Sequence, residues 1–335
     1  MGIRCWFAGS ICVLCLACSS EGNRVPPPQP FIEDPESEFP ERLSGVGLWD
    51  LSKPLEVWSS EANPHALEFE PHFPLWTNGA RKRRQLVLPQ GELIDASDPT
   101  SWKVPAGSIA FKTLFFANAS GEPVPAETRV IQLGAGGERR YAVYVWDPLS
   151  RDATRVESGT TLEVRDFRGN VLTHEVPSEG DCSACHDSSP QAFLGLNSYQ
   201  QQVEDAGTLS PQAFAHPPAK PERSLRGDDE ESRALGYLVG NCSHCHNDWR
   251  GPNSEFSLLP EDAVANLVNV ESTGSASVAG IRVIPGDPDN SLLLLAMNSV
   301  AGRRLAKPMP PLGVQREDDA GMHTIAEWIE QLDDN

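Results

Sequence analysis

Two stretches of this sequence hold residues whose types and spacing can do chemistry: Cys182-Ser-Ala-Cys185-His186 and Cys242-Ser-His-Cys245-His246. Both read C-x-x-C-H. Two thiols at this separation can form thioethers with the two vinyl groups on one porphyrin edge, and the next residue then sets an imidazole on the iron. The pattern predicts two covalently attached c-type haems. Cys182, Cys185, Cys242 and Cys245 are the attachment points, and His186 and His246 are the iron ligands. Zinc and dithiol chemistry also use paired cysteines. A four-cysteine zinc site separates its pairs by about 15–20 residues, whereas 56 residues lie between Cys185 and Cys242. A thioredoxin-like dithiol needs a βαβ context, and no such alternation is visible. A histidine after both pairs ranks haem ahead of zinc, and zinc ahead of a dithiol.

Haem iron can take a second axial ligand. For the second haem the sequence points to Met309, in the run Lys307-Pro-Met-Pro-Pro311, 63 residues after His246. Flanking prolines limit loop entropy and hold a weak, soft thioether in place. Met297 and Met322 are rivals, but both fall in apolar helical patterns, where methionine fills core. The first haem has no methionine of its own, because none occurs between Ala8 and Ala296. Its sixth ligand is then a histidine, a methionine borrowed from the C-terminal part, or nothing. His216 leads, in a proline-flanked loop 30 residues after His186, followed by His65, His72 and His174. His244 is expected to face solvent. The His246 ring N–H needs an acceptor, and the Pro252 carbonyl is the candidate.

The elements that must position these residues change character along the chain. Residues 41–177 carry β-branched and aromatic runs at Gln85–Leu88, Ser108–Phe116, Thr128–Leu133, Tyr141–Trp146 and Thr161–Phe167, separated by turn residues. They predict an antiparallel sandwich or barrel-like module. Within it, Arg81-Lys-Arg-Arg84 reads as either an anion or propionate site or a solvated strand start, and the second is preferred. Residues 178–228 form a first haem segment and linker, with a short helix expected near Tyr199–Val203. Residues 229–335 predict a mainly α-helical cytochrome c-type domain, with helices over Glu230–Asn241, Asp262–Val270, Asp287–Met297 and Asp318–Leu332. The expected fold class is thus multidomain: a β-rich module followed by a helical haem domain.

The 335 residues carry a formal charge of −20, which argues against nucleic acid as a partner. Residues 1–20 read as an export leader, with Arg4 before a short apolar run. Leu14-Cys-Leu-Ala-Cys18 resembles a lipobox, with Cys15 where leucine is usual. This predicts lipidation of Cys18 and an outer-membrane lipoprotein facing the periplasm, or else a soluble periplasmic protein. The proline-rich stretch 21–40 reads as a tether. Of the eight cysteines, four fall in the leader and four in the haem pairs, so none is left for a disulfide.

Several further pieces travel together: Glu41-Arg-Leu-Ser44, Phe73-Pro-Leu-Trp-Thr-Asn-Gly-Ala80, Tyr144-Val-Trp146, Leu194-Gly-Leu-Asn197, Arg233-Ala-Leu-Gly-Tyr-Leu238, Pro285-Gly-Asp-Pro288 and Met309-Pro-Pro311. With the two motifs, they resemble a family of exported bacterial di-haem c-type cytochrome proteins with a β-rich N-terminal half, from about Glu41 to Leu332. The resemblance implies haem c binding and electron transfer, and names no substrate; the partners expected on this reading are periplasmic or outer-membrane redox proteins. An electron carrier is the leading reading. The alternative is a di-haem redox enzyme, such as a peroxidase, with one open haem position.

Overall fold

The structure is a computed structural model that describes residues 38–47, 66–147, 152–201, 209–225, 227, 229–249, 256–272, 279–301 and 306–333. The leader with Cys18, the tether as far as residue 37, His65 and Pro252 lie outside the described residues.

Eight strands follow the β-branched and aromatic runs: β1 (Ala66–Glu68), β2 (Arg81–Val87), β3 (Ile109–Ala117), β4 (Pro123–Leu133), β5 (Arg139–Trp146), β6 (Ala153–Arg155), β7 (Thr160–Arg165) and β8 (Val171–Val176). All belong to one antiparallel sheet in the order β1-β2-β3-β4-β5-β6, with the β7–β8 hairpin joined to β3 through Ala117 and Arg165. The expected sandwich or barrel-like module is therefore a single connected sheet. Side chains alternate between its faces. Val87, Ile109, Phe111, Val130 and Tyr144 build one core. Leu86, Ala110, Ile131 and Leu133 build a second with Phe193 and Leu196, which follow the first motif. The β module thus covers part of the first motif's surroundings.

The helices are α1 (Glu179–His186), α2 (Glu230–Asn241), α3 (Ala263–Leu267), α4 (Leu292–Met297) and α5 (Asp319–Glu330). A mainly α-helical second domain is overturned: the chain is mostly an antiparallel sheet with few helices, five among the described residues. Only α2 and α5 reach 12 residues. The apolar spacing over 262–270 and 287–297 reports burial rather than a continuous helix, an ambiguity inherent in short apolar runs. After α3, Val268 turns extended and bridges Val283, and Asn269 adopts a left-handed φ of 57°. Extended Ser291 separates a 3₁₀ turn at Pro288–Asn290 from α4. Tyr199 to Gln201 is not helical. No helix among the described residues is long and apolar enough to cross a membrane.

Helices α2 and α5 pack at close quarters because glycine lines their contacts. A Cβ on Gly321 would come within 2.1 Å of the Tyr237 ring, and one on Gly240 within 2.3 Å of the Phe73 carbonyl oxygen. Phe73 opens the segment that joins sheet to helices. Trp76 N–H donates to Asn241 Oδ1 at 2.7 Å, and its indole N–H to the Arg316 carbonyl at 2.9 Å. Buried Asn78 exchanges bonds with Gln315, accepting at 2.8 Å and donating at 2.6 Å.

Candidate functional site

The first motif rides on α1. Ser178 and Asp181 form a reciprocal capping box at its N-terminus, satisfying donors that the first turn leaves free. Arg155, beside the strand edge, grips Glu179 through two bonds of 2.7 and 2.8 Å. At the other end, Arg139 of β5 donates to the His186 and Ser189 carbonyls, and Tyr141 donates to Asp187 at 2.6 Å. The sheet therefore holds both ends of α1. Cys182 and Cys185, three residues apart, share one helix face.

The second motif follows α2 as a turn, with Cys245 and His246 N–H groups both donating to the Cys242 carbonyl. The His246 ring lies 4.6 Å from the Phe256 ring, and the Arg282 guanidinium sits over the Phe256 ring at 3.8 Å. The Phe256 backbone hydrogen-bonds the His246 ring, in the role assigned to Pro252 from the sequence. Asn247 donates to the Ser188 carbonyl at 3.1 Å and to those of Ser243 and His244. That bond ties the two motifs together across the chain.

Both motifs open onto one cavity of about 890 Å³, lined by all four cysteines, His186, His246 and Met309. Met297 and Met322 line it too, although Met297 belongs to the helical core. The motifs touch: one ligand atom each from Cys185, His244 and Cys245 lie within 4.8 Å of one another. His244, expected in solvent, instead sits half-buried between the two motifs. No protein-family model, curated protein or solved structure matches this chain. The site's chemistry must therefore be read from its own residues.

Burial pushes the Cys182 thiol up to about 11 and the Cys242 thiol up to about 12, so both stay protonated at neutral pH. Cys185 is held low by a hydrogen bond from Cys245, helped by His244, and Cys245 is raised correspondingly. Burial keeps both proximal-type imidazoles neutral: His246 falls to about 4, and His186 falls well below its usual range with the Lys112 charge adding to the effect. A neutral imidazole has a free lone pair for a metal. The residue set fits two haems: four thiols, two neutral imidazoles and a thioether line one largely apolar chamber.

The candidate histidines among the described residues do not line that chamber. His174 is fully buried on β8, between Asn78 at 3.2 Å and Glu127 at 3.3 Å. His216 is exposed near Asp95, and His72 is exposed with its ring edge-on to Phe73. None of the three lines the cavity. Sequence reasoning missed Lys112 and Arg129, which do. The available signal for Lys112 was a lone cation inside the apolar run Ser108–Phe116. The solvated reading of Arg81–Arg84 also fails at its last residue, since Arg84 is only 7 % exposed.

Proposed function

We propose that this chain is an exported di-haem c-type protein that carries single electrons between other redox proteins. The observation that carries the reading is the shared cavity, onto which both C-x-x-C-H motifs and Met309 open. Cys182 and Cys185 would hold one haem and Cys242 and Cys245 the other, with His186 and His246 as ligands and Met309 as a further ligand for the second. Bound haem iron would supply one-electron redox chemistry. The chain's own residues set its conditions: Phe256 orients His246, Arg139 and Tyr141 fix the end of α1, and Asn247 holds the two motifs adjacent. The closeness of Cys185 and Cys245 sets the two cysteine pairs side by side, so groups held on them would be neighbours. The leader and Cys18 place the protein, on this reading, at the outer membrane facing the periplasm, where its partners are redox proteins and not nucleic acid.

A pyridine haemochrome assay on protein matured with a c-type haem assembly system tests this, with two haems per chain expected. One zinc per chain and no haemochrome would overturn it and move the chemistry to Cys185, His244 and Cys245. His72, His174 and His216 do not line the cavity, whereas Met297 and Met322 do, so the first iron would take one of these methionines or keep the open position of a second reading, a di-haem redox enzyme. Rapid stoichiometric cyanide binding at that haem would select the enzyme; a six-coordinate, unreactive first haem would select the carrier.

A further inference from the structure

Arg84, Lys112 and Arg129 stand directly opposite one another on three adjacent strands: Arg84 pairs with Lys112, and Lys112 with Arg129. Antiparallel partners point to the same face, and like charges placed so are destabilising unless something compensates them. Arg129 has its own counter-ion in Glu127, at 2.5 and 3.1 Å. The other two do not. Arg84 is 7 % exposed, and its guanidinium makes no hydrogen bond or ion pair among the described residues; Glu70 acts on it only at longer range. Lys112, half-buried, is likewise without a hydrogen bond or ion pair among the described residues, and burial with the charges of Arg129 and Arg84 pushes its ammonium well below its usual range against the opposing charge of Glu127. A buried cation without a partner, or one crowded by like charges, is expensive.

Both unpaired cations face a second, smaller cavity of about 100 Å³ between the sheet and the first motif. Arg129, His186, His244 and Gln191 also line it, and no Asp or Glu does among the described residues. A chamber this size holds a small ion with a few waters. The His186 ring adds a second, independent sign. Its Nδ1 is buried and has no hydrogen-bond partner, whereas a ligating imidazole regularly donates its second N–H to an acceptor.

We propose that this chamber is an anion site, in which a small carboxylate or inorganic oxyanion binds Arg84 and Lys112 beside His186. The anion neutralises the cation row and gives the His186 ring N–H an acceptor. Its source is either free solute or a carboxylate belonging to the bound haem. The proposal stands with or without haem at the first motif, because the row and the chamber belong to the polypeptide.

Sodium formate and inorganic phosphate are titrated by calorimetry into the full-length chain in chloride-free buffer, with covalent haem present and again with protein matured without it. Circular dichroism verifies folding throughout. Saturable binding of one anion per haem-loaded chain, weakened about tenfold or more in Lys112→Met and in Arg84→Met and kept in Lys112→Arg, establishes a site for free anions. Binding only to the haem-free chain, with the same dependence on Lys112 and Arg84, establishes the haem carboxylate as the resident occupant. If neither form binds either anion, or if folded Lys112→Met and Arg84→Met bind as tightly as the unaltered chain, the proposal is wrong. Haem content is measured separately, so failure here leaves the di-haem reading standing.

Discussion

The first C-x-x-C-H copy lies on an eight-residue helix with no fully buried residue, its Cys182, Cys185 and His186 only half-buried, while the second follows a twelve-residue helix with eight buried residues. Helix α1 is held from outside, by Arg155, Arg139 and Tyr141 of the sheet region. Helix α2 is held from within, by Leu235, Leu238 and Val239 in a core shared with α5. The histidines differ in the same way. His246 has Phe256 on its ring, whereas His186 has an orphaned Nδ1 beside a row of cations. One five-residue pattern therefore meets two environments, and the environments, not the motif, set the properties of each site.

The comparison breaks most visibly at the cysteines. If the proposed two haems are bound, Cys182→Ala should halve covalent haem and leave the second site's absorption intact, because Cys182 lies outside the cluster of Cys185, His244 and Cys245 where the motifs meet. Cys185→Ala should cause the same loss and also disturb the second haem, since Cys185 touches Cys245. Haem quantitation with visible spectra checks both. Met309→Ala is expected to lower the potential of the second haem alone, by a fraction of the roughly 0.8 V range that axial ligands span; a redox titration reads it.

The sheet that supports the first motif has its own weak point in Glu127. Burial pushes its carboxyl up, but the Arg129 charge and a hydrogen bond from His174 outweigh that and hold it at about 2. Because the folded value lies below the ordinary 4.5, Glu127 adds stability that is fully present above about pH 4.5 and is lost as pH falls towards 2. Glu127→Gln leaves Arg129 buried without its counter-ion and should cost about 3–5 kcal/mol at pH 7. The gap between variant and unaltered protein should narrow below pH 4.5 in denaturant titrations. A gap independent of pH would show that the carboxylate charge is not what matters.

The junction between the two regions gives a smaller effect. Gly240→Ala would drive a methyl into the Phe73 carbonyl, and overpacking of this kind costs about 1–3 kcal/mol. It should also loosen the bond between Trp76 and Asn241, so tryptophan fluorescence should change with the loss of stability.

How far the sequence reveals all this depends on the element. Helices α2 and α5 are legible because Asp229 and Asp318 cap them and their apolar residues recur at helical spacing. Helix α1 shows no such period, since no residue on it is fully buried; its only local signal is Ser178 three residues before Asp181. The meeting of the two motifs is not legible at all. It depends on Asn247 reaching Ser188, and on the Phe73–Asn78 segment bridging sheet and helices, contacts between residues far apart in the chain. Lys112 escapes notice for a related reason. A single cation in a strand reads as an edge or surface residue until the register sets it between Arg84 and Arg129.

The least costly change isolates the difference between the two helices. Ser178→Ala removes one half of the capping box, and Asp229→Ala removes the corresponding cap of α2. Each cap is worth about 0.5–2 kcal/mol. The consequences should still differ. With its side chains at most half-buried, α1 has little packing to oppose fraying once its first turn loses a partner, so amide exchange should quicken across Glu179 to His186 while global stability barely moves. In α2 the eight buried residues keep the helix in place, and the cost of losing its cap should appear only as a global loss shared with the core. Equal local exchange in the two variants would show that the clamps from Arg155, Arg139 and Tyr141 hold α1 as firmly as a core holds α2, and would erase the structural contrast between the two C-x-x-C-H motifs.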